Sequence, residues 1–90
     1  MQKIEFVPTV DIGFGLTIDG VLYRIAANTP EKRAELEAAE DPEKALIVLF
    51  GKDGCDAIMQ VLREGVYHMT TVVNASVRLF YEAETLWEVD

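Results

Sequence analysis

Cysteine, histidine and serine each occur once in this chain, as Cys55, His68 and Ser76, and that scarcity removes most catalytic and metal chemistry before any fold is considered. A lone cysteine closes no intrachain disulfide, so the chain is not a disulfide-stapled secreted miniprotein and an intracellular setting is expected. One Cys and one His do not make a zinc site. Cys55 and His68 lack a third residue to orient them as a nucleophile-base pair. Asp53 and Asp56 flank Gly54 without the alternating oxygen ligands of a calcium loop. No enzyme activity, cofactor or metal is therefore expected. Basic residues are also scarce, 8 against 16 acidic, for a net charge of -8. Binding to a nucleic-acid backbone relies on clustered Lys and Arg, so direct nucleic-acid binding is not expected. Long apolar runs are missing too. The longest, Ala45 to Phe50, is far too short to span a bilayer, and Glu5 and Asp11 interrupt the N-terminal apolar residues that a signal peptide would keep continuous. A soluble, cytoplasmic protein is the expectation.

What is present is one small domain over residues 1–90, a β-hairpin region at 1–27 and a helical region at 28–90. A domain of this size buries a modest core. Half of its residues are hydrophobic, which exceeds what so charged a small monomer needs and fits a homo-oligomer that hides apolar surface between subunits.

From Val10 the apolar residues alternate through Ile12, Phe14, Leu16 and Ile18, and resume after Asp19-Gly20 as Val21, Tyr23 and Ile25. A two-residue Asp-Gly turn pairs Ile18 with Val21, Leu16 with Tyr23 and Phe14 with Ile25, placing every apolar member on one face. Leu22 falls awkwardly on the polar face. Ile4 and Phe6, ahead of Pro8, suit a third, edge strand. Gly13-Phe14-Gly15 continues as a strand instead of opening a helix, so it reads as a bulge or close packing and not as a phosphate loop.

The remainder is helical. Asn28-Thr29-Pro30-Glu31 carries a capping side chain, proline at the first helical position and an acid in the first turn, and starts a helix running to about Glu40. Asp41-Pro42-Glu43-Lys44 repeats that start signal. The second helix, Pro42 to about Phe50, is apolar on almost every side from Ala45 onward and is expected to be largely buried. Gly51 would end it in a left-handed cap, and Asp53 would cap a third helix in which Cys55, Ile58, Met59 and Leu62 form a stripe. Cys55 on that stripe reads as core. Gly65 closes or bends this helix. In the last segment Val66, Met69, Val73, Ser76, Phe80, Ala83 and Trp87 are spaced as one seam of a long helix, flanked by Val72, Leu79 and Leu86, with His68, Thr71, Asn74, Arg78, Glu82 and Thr85 away from it. The fold class that follows is α+β: an N-terminal β-hairpin or three-stranded antiparallel sheet, then three to four α-helices, the last one long. Tyr67, Tyr81 and Trp87 are candidates either for a partner contact or for packing within the domain.

Leu49-Phe50-Gly51-Lys52-Asp53-Gly54-Cys55-Asp56-Ala57-Ile58, with a long helix ending in Phe80-Tyr81-Glu82, resembles the small tail assembly chaperones and related tail-region proteins of long-tailed bacteriophages. The Ile18-Asp19-Gly20 hairpin with Tyr23 and Ile25 is similar to the N-terminal portion of some of them. The resemblance is best over Ala45 to about Glu84. It implies a non-enzymatic, oligomeric protein in the cytoplasm of an infected cell, shielding an apolar tape measure protein until tail tube subunits assemble. Phe50, Leu62, Phe80 and Trp87 are then the apolar residues to seek at contacts. A second expectation comes from charge: acids at Glu31, Glu35, Glu37 and Glu40 and at Glu82, Glu84 and Glu88 suit a small acidic inhibitor that mimics nucleic acid on a host defence protein, of the anti-CRISPR or anti-restriction type.

Overall fold

The computed structural model describes the backbone of residues 3–9 and 13–88 and the side chains of residues 3–8 and 14–82. Three strands, β1 (Ile4–Thr9), β2 (Gly13–Ile18) and β3 (Val21–Arg24), form one antiparallel sheet in the order β1-β2-β3. Three helices follow, α1 (Pro30–Ala38), α2 (Pro42–Leu62) and α3 (Met69–Glu88), so the architecture is α+β with the sheet at the N-terminal end. Val10 and Ile12, from which the alternation begins, lie outside the described residues.

The β2-β3 hairpin closes through Asp19 and Gly20, both with positive φ (51° and 81°). Two such residues make the turn whose twist matches the strands, which is why Asp-Gly is favoured there. Ile18 pairs with Val21 and Leu16 with Tyr23, and the Ile25 N–H donates to Phe14 O at 3.0 Å, which is the register the alternation predicts. Since Phe14, Leu16 and Ile18 direct their peptide groups to β3, the intervening residues of β2 serve β1, where Glu5 faces Thr17 and Val7 faces Gly15. Pro8 faces Phe14, so its nitrogen points away from β2 and its missing N–H costs no ladder bond. The Ile4 N–H, turned outward in the same way, donates to the Tyr67 hydroxyl at 3.3 Å. The inner face of the sheet supplies Ile4, Leu16 and Ile18 to the core. Val21, on that face by register, remains 53% exposed. A Cβ on Gly15 would stand 2.8 Å from Tyr23 O, so close packing, not a ligand, accounts for glycine in this strand.

Both helix-start signals act as read. Thr29 Oγ1 accepts the Lys32 N–H at 3.2 Å and Asp41 Oδ1 accepts the Lys44 N–H at 2.9 Å, each just ahead of a first-turn proline. α1 stops at Ala38, short of Glu40, because Ala39 (ψ 117°) and Asp41 (ψ 163°) are extended, as the residue before Pro42 must avoid the helical region.

Within α2 the backbone leaves helical geometry at Gly51 (φ 80°, ψ 172°). The Cys55 thiol then meets Glu43 O at 3.6 Å across twelve residues, a separation that a straight helix would stretch to about 18 Å. α2 is therefore bent sharply at Gly51, so that the first turn of its second limb (52–62) meets the first turn of its first limb (42–50). Breaking the helix exposes carbonyls near the joint, and Leu49 O accepts the Ala26 N–H at 2.7 Å. Gly54 lies within the second limb without breaking it. It is buried, and a Cβ there would come within 2.7 Å of Phe50 Cβ, so it is the place where the second limb touches the end of the first. Among the described residues no hydrogen bond reaches the Asp53 carboxylate, which does not cap the second limb.

This contact rotates the buried stripe. Gly54, Cys55, Ile58 and Val61 are buried, whereas Met59 and Leu62 are only half-buried against the core, because the face toward Phe50 is the one that closes. The seam of α3 shifts as well. The helix begins at Met69, Val66 lies before it and is 49% exposed, and the buried positions are Val72, Ser76 and Phe80. With about 3.6 residues per turn, Val72 and Val73 straddle the contact line, and Val72, expected at the flank, takes its centre. Ser76 satisfies its buried hydroxyl by donating to Val72 O at 2.7 Å. His68, Thr71, Asn74, Arg78 and Glu82 are exposed as the spacing predicts; Ala83, Thr85, Leu86 and Trp87 lie outside the described side chains.

Gly51→Ala is expected to destabilise the chain by about 1–3 kcal/mol, since a φ of 80° with extended ψ is open to glycine and strained for any other residue. Urea unfolding monitored by circular dichroism measures this, with the exposed neighbour Lys52→Ala expected to stay within about 0.5 kcal/mol of the parent.

Candidate interaction surfaces

The residues with chemical potential do not converge. Cys55 is 1% exposed and sits in the core between the limbs of α2, while His68 is exposed at the start of α3. Burial pushes the Cys55 thiol up from its ordinary pKa, and the charges of Glu43 and Asp56 push it further. That is the opposite of an activated nucleophile. Among the described residues no group of three or more His, Cys, Asp or Glu is gathered as a metal site would require. None of their helices is long and apolar enough to cross a membrane. A hollow of about 380 Å³ between the limbs of α2 is lined by Glu43, Asp56, Ala57, Met59, Gln60 and Arg63. It is open to solvent and holds carboxylates beside an arginine with no buried polar group aimed into it.

The apolar contact candidates divide by burial. Phe80 is 1% exposed, so its ring belongs to this chain's own core, and it presents its neighbour instead: Tyr81 packs edge-on against it at 5.3 Å and 81° and remains 37% exposed. Phe50, Leu62 and Tyr67 are half-buried against the core, with Tyr67 tied to β1 through its hydroxyl. Trp87 lies outside the described side chains. Of the acidic candidates, Glu31, Glu35, Glu37, Glu40 and Glu82 are exposed, and Glu84 and Glu88 lie outside the described side chains. The acidic charge is partly balanced locally: Lys32 Nζ is 3.5 Å from Glu35 on α1, and Lys44 Nζ is 3.9 Å from Asp41 at the start of α2. Both pairs are solvent-exposed and contribute little to stability.

Two features escape a reading of spacing alone. Asn28, beside the Thr29 cap, donates from Nδ2 to Phe80 O at 3.1 Å and accepts from Arg33 Nη1 at 2.8 Å, joining the start of α1 to the middle of α3. A polar residue next to a cap gives no hint of a partner 52 positions away. Ile47, inside the run expected to be buried, is 41% exposed. Ala45, Leu46 and Leu49 fill the core from this limb, and Ile47 lies on its opposite side, toward α1. There Glu35, Ala38 and Ala39 of α1 and Lys44, Ile47 and Val48 of α2 line a shallow, mainly apolar hollow of about 330 Å³. The small alanines leave it open. No protein-family model, curated protein or solved structure matches this chain.

The buried thiol carries a checkable consequence. At pH 8 Cys55 is expected to resist a thiol reagent in the folded chain and to react fully in urea. Because its proton is held more tightly folded than unfolded, it adds stability that is complete below the ordinary thiol pKa, about 8.5, and is lost as pH rises through the higher folded value. Unfolding curves compared between the parent and Cys55→Ala should show the extra alkaline loss in the parent only.

Proposed function

We propose that this chain is a non-enzymatic assembly factor of the phage tail assembly chaperone kind, acting in the cytoplasm of an infected cell through contacts with another protein and with copies of itself. The observation that carries this reading is the apolar hollow between α1 and α2 with Ile47 41% exposed beside it. Exposed apolar side chains at a concave surface are suited to contact with another protein chain. Tyr81 adds an exposed aromatic on α3, the residue type enriched at contacts between proteins. A tape measure protein, long and apolar before its tail tube forms around it, is the partner that the likeness to tail assembly chaperones implies.

The competing reading, an acidic inhibitor mimicking nucleic acid, draws on the exposure of Glu31, Glu35 and Glu37 along α1 and of Glu40 just beyond it. It is the weaker of the two. Lys32 and Arg33 interrupt that run, Lys44 follows it, and Glu35 and Asp41 already have lysines within 4 Å, so no continuous row of unbalanced charge imitates a phosphate backbone.

Co-expression with a tape measure fragment tests the first reading. The soluble yield of the fragment should rise several-fold with the parent chain. An unchanged yield with the parent would count against it. A nuclease complex that dissolves with rising salt, and with Glu→Lys changes along α1, would transfer support to the inhibitor.

A further inference from the structure

We infer that the hollow between α1 and the first limb of α2 is the surface through which two copies of this chain pair. The inference rests on the self-association in the function proposed above and assigns it a place. The two walls carry the same spacing, Glu35 and Ala38 on α1 with Ala39 as its C-cap, and Lys44, Ile47 and Val48 on α2, which sets i, i+3 and i+4 stripes side by side. One wall is small and the other is branched and projecting. A two-fold axis brings the α1 wall of each copy onto the α2 wall of the other, so that Ile47 and Val48 of one copy cover Ala38 and Ala39 of the second. Such a contact must be self-complementary, and these walls are.

Charge selects a second copy over a basic partner at this place. The chain carries -8, so two copies repel over most of their surfaces. The lining of the hollow holds one acid and one base, which cancel, making it a patch where like chains can meet. Across the axis Glu35 of each copy comes within reach of Lys44 of the other. α1 gives an independent reason for a cover: it has nine residues and no buried side chain. Isolated helices shorter than about 12–15 residues are marginal in water. A second copy over Ala38 and Ala39 would give α1 the apolar contact that its own chain leaves incomplete.

Sedimentation equilibrium of the full chain and its variants tests the pairing. The parent should dimerise, and Glu35→Lys and Lys44→Glu, each placing like charges across the axis, should weaken the dimer about tenfold apiece. The double exchange restores opposite charges and should return affinity to within about threefold of the parent. Ile47→Gln should also weaken it about tenfold while leaving the circular dichroism spectrum unchanged, because the site is exposed. A parent dimer indifferent to all of these changes overturns this surface while self-association stands. A parent that is monomeric at every concentration overturns both. If such a monomeric parent still raises tape measure solubility through Ile47, the hollow belongs to the other protein, and the chaperone reading stands without pairing.

Discussion

Glu43 and Cys55 stand twelve residues apart in one helical element, yet the thiol of one reaches the carbonyl of the other at 3.6 Å. That contact exists because Gly51 takes a backbone conformation that side chains disfavour, allowing the second limb to bend back toward the first. Much of the core follows from that bend. Leu46 from the first limb and Cys55, Ile58 and Val61 from the second enter one cluster with Ile4, Leu16 and Ile18 of the sheet and Val72 of α3. A straight α2 would separate the two limbs' contributions and leave the sheet without a common partner. The same joint ties the sheet to the helices, because Leu49 O, at the break, receives the N–H of Ala26 just after β3.

The bend also determines which surface remains. The first limb of α2 turns Ala45, Leu46 and Leu49 inward, so Ile47 on its far side faces α1. α1 meets it with alanines and cannot fill the space between them. The apolar excess evident in the composition is thus partly located. Some of it is core, and some lies in a hollow whose two walls match in spacing and balance in charge. Of the acids on α1, Glu35 lines that hollow, whereas Glu31 and Glu37 are exposed outside it.

Local chemistry made most of the fold legible in the sequence. Asp19-Gly20 specified its turn and thereby the register of β2 against β3, and Thr29-Pro30 and Asp41-Pro42 specified two helix starts. Gly51, placed after an apolar run, specified the joint. What escaped depended on which elements meet in space. The buried stripe of the second limb turned from Met59 and Leu62 toward Gly54 and Val61 because Phe50 packs on Gly54. The α3 seam moved onto Val72 because the helix begins only at Met69, leaving Val66 outside. Ile47 and Asn28 look alike in sequence to a buried residue and an ordinary cap neighbour, and only packing distinguishes them. Function was less legible still: the hollow proposed as a contact surface forms only where α1 packs against the first limb of α2, which residue spacing alone does not specify.

The most direct measurement of the account is proton–proton proximity across the joint, by nuclear Overhauser spectroscopy on the isotope-labelled parent chain. Cross-peaks are expected between the Cys55 β protons and protons of Glu43 and Leu46, with the helical pattern of sequential contacts interrupted at Gly51. Unbroken helical contacts from Leu49 through Cys55, with no cross-peak between Cys55 and Glu43, would contradict it.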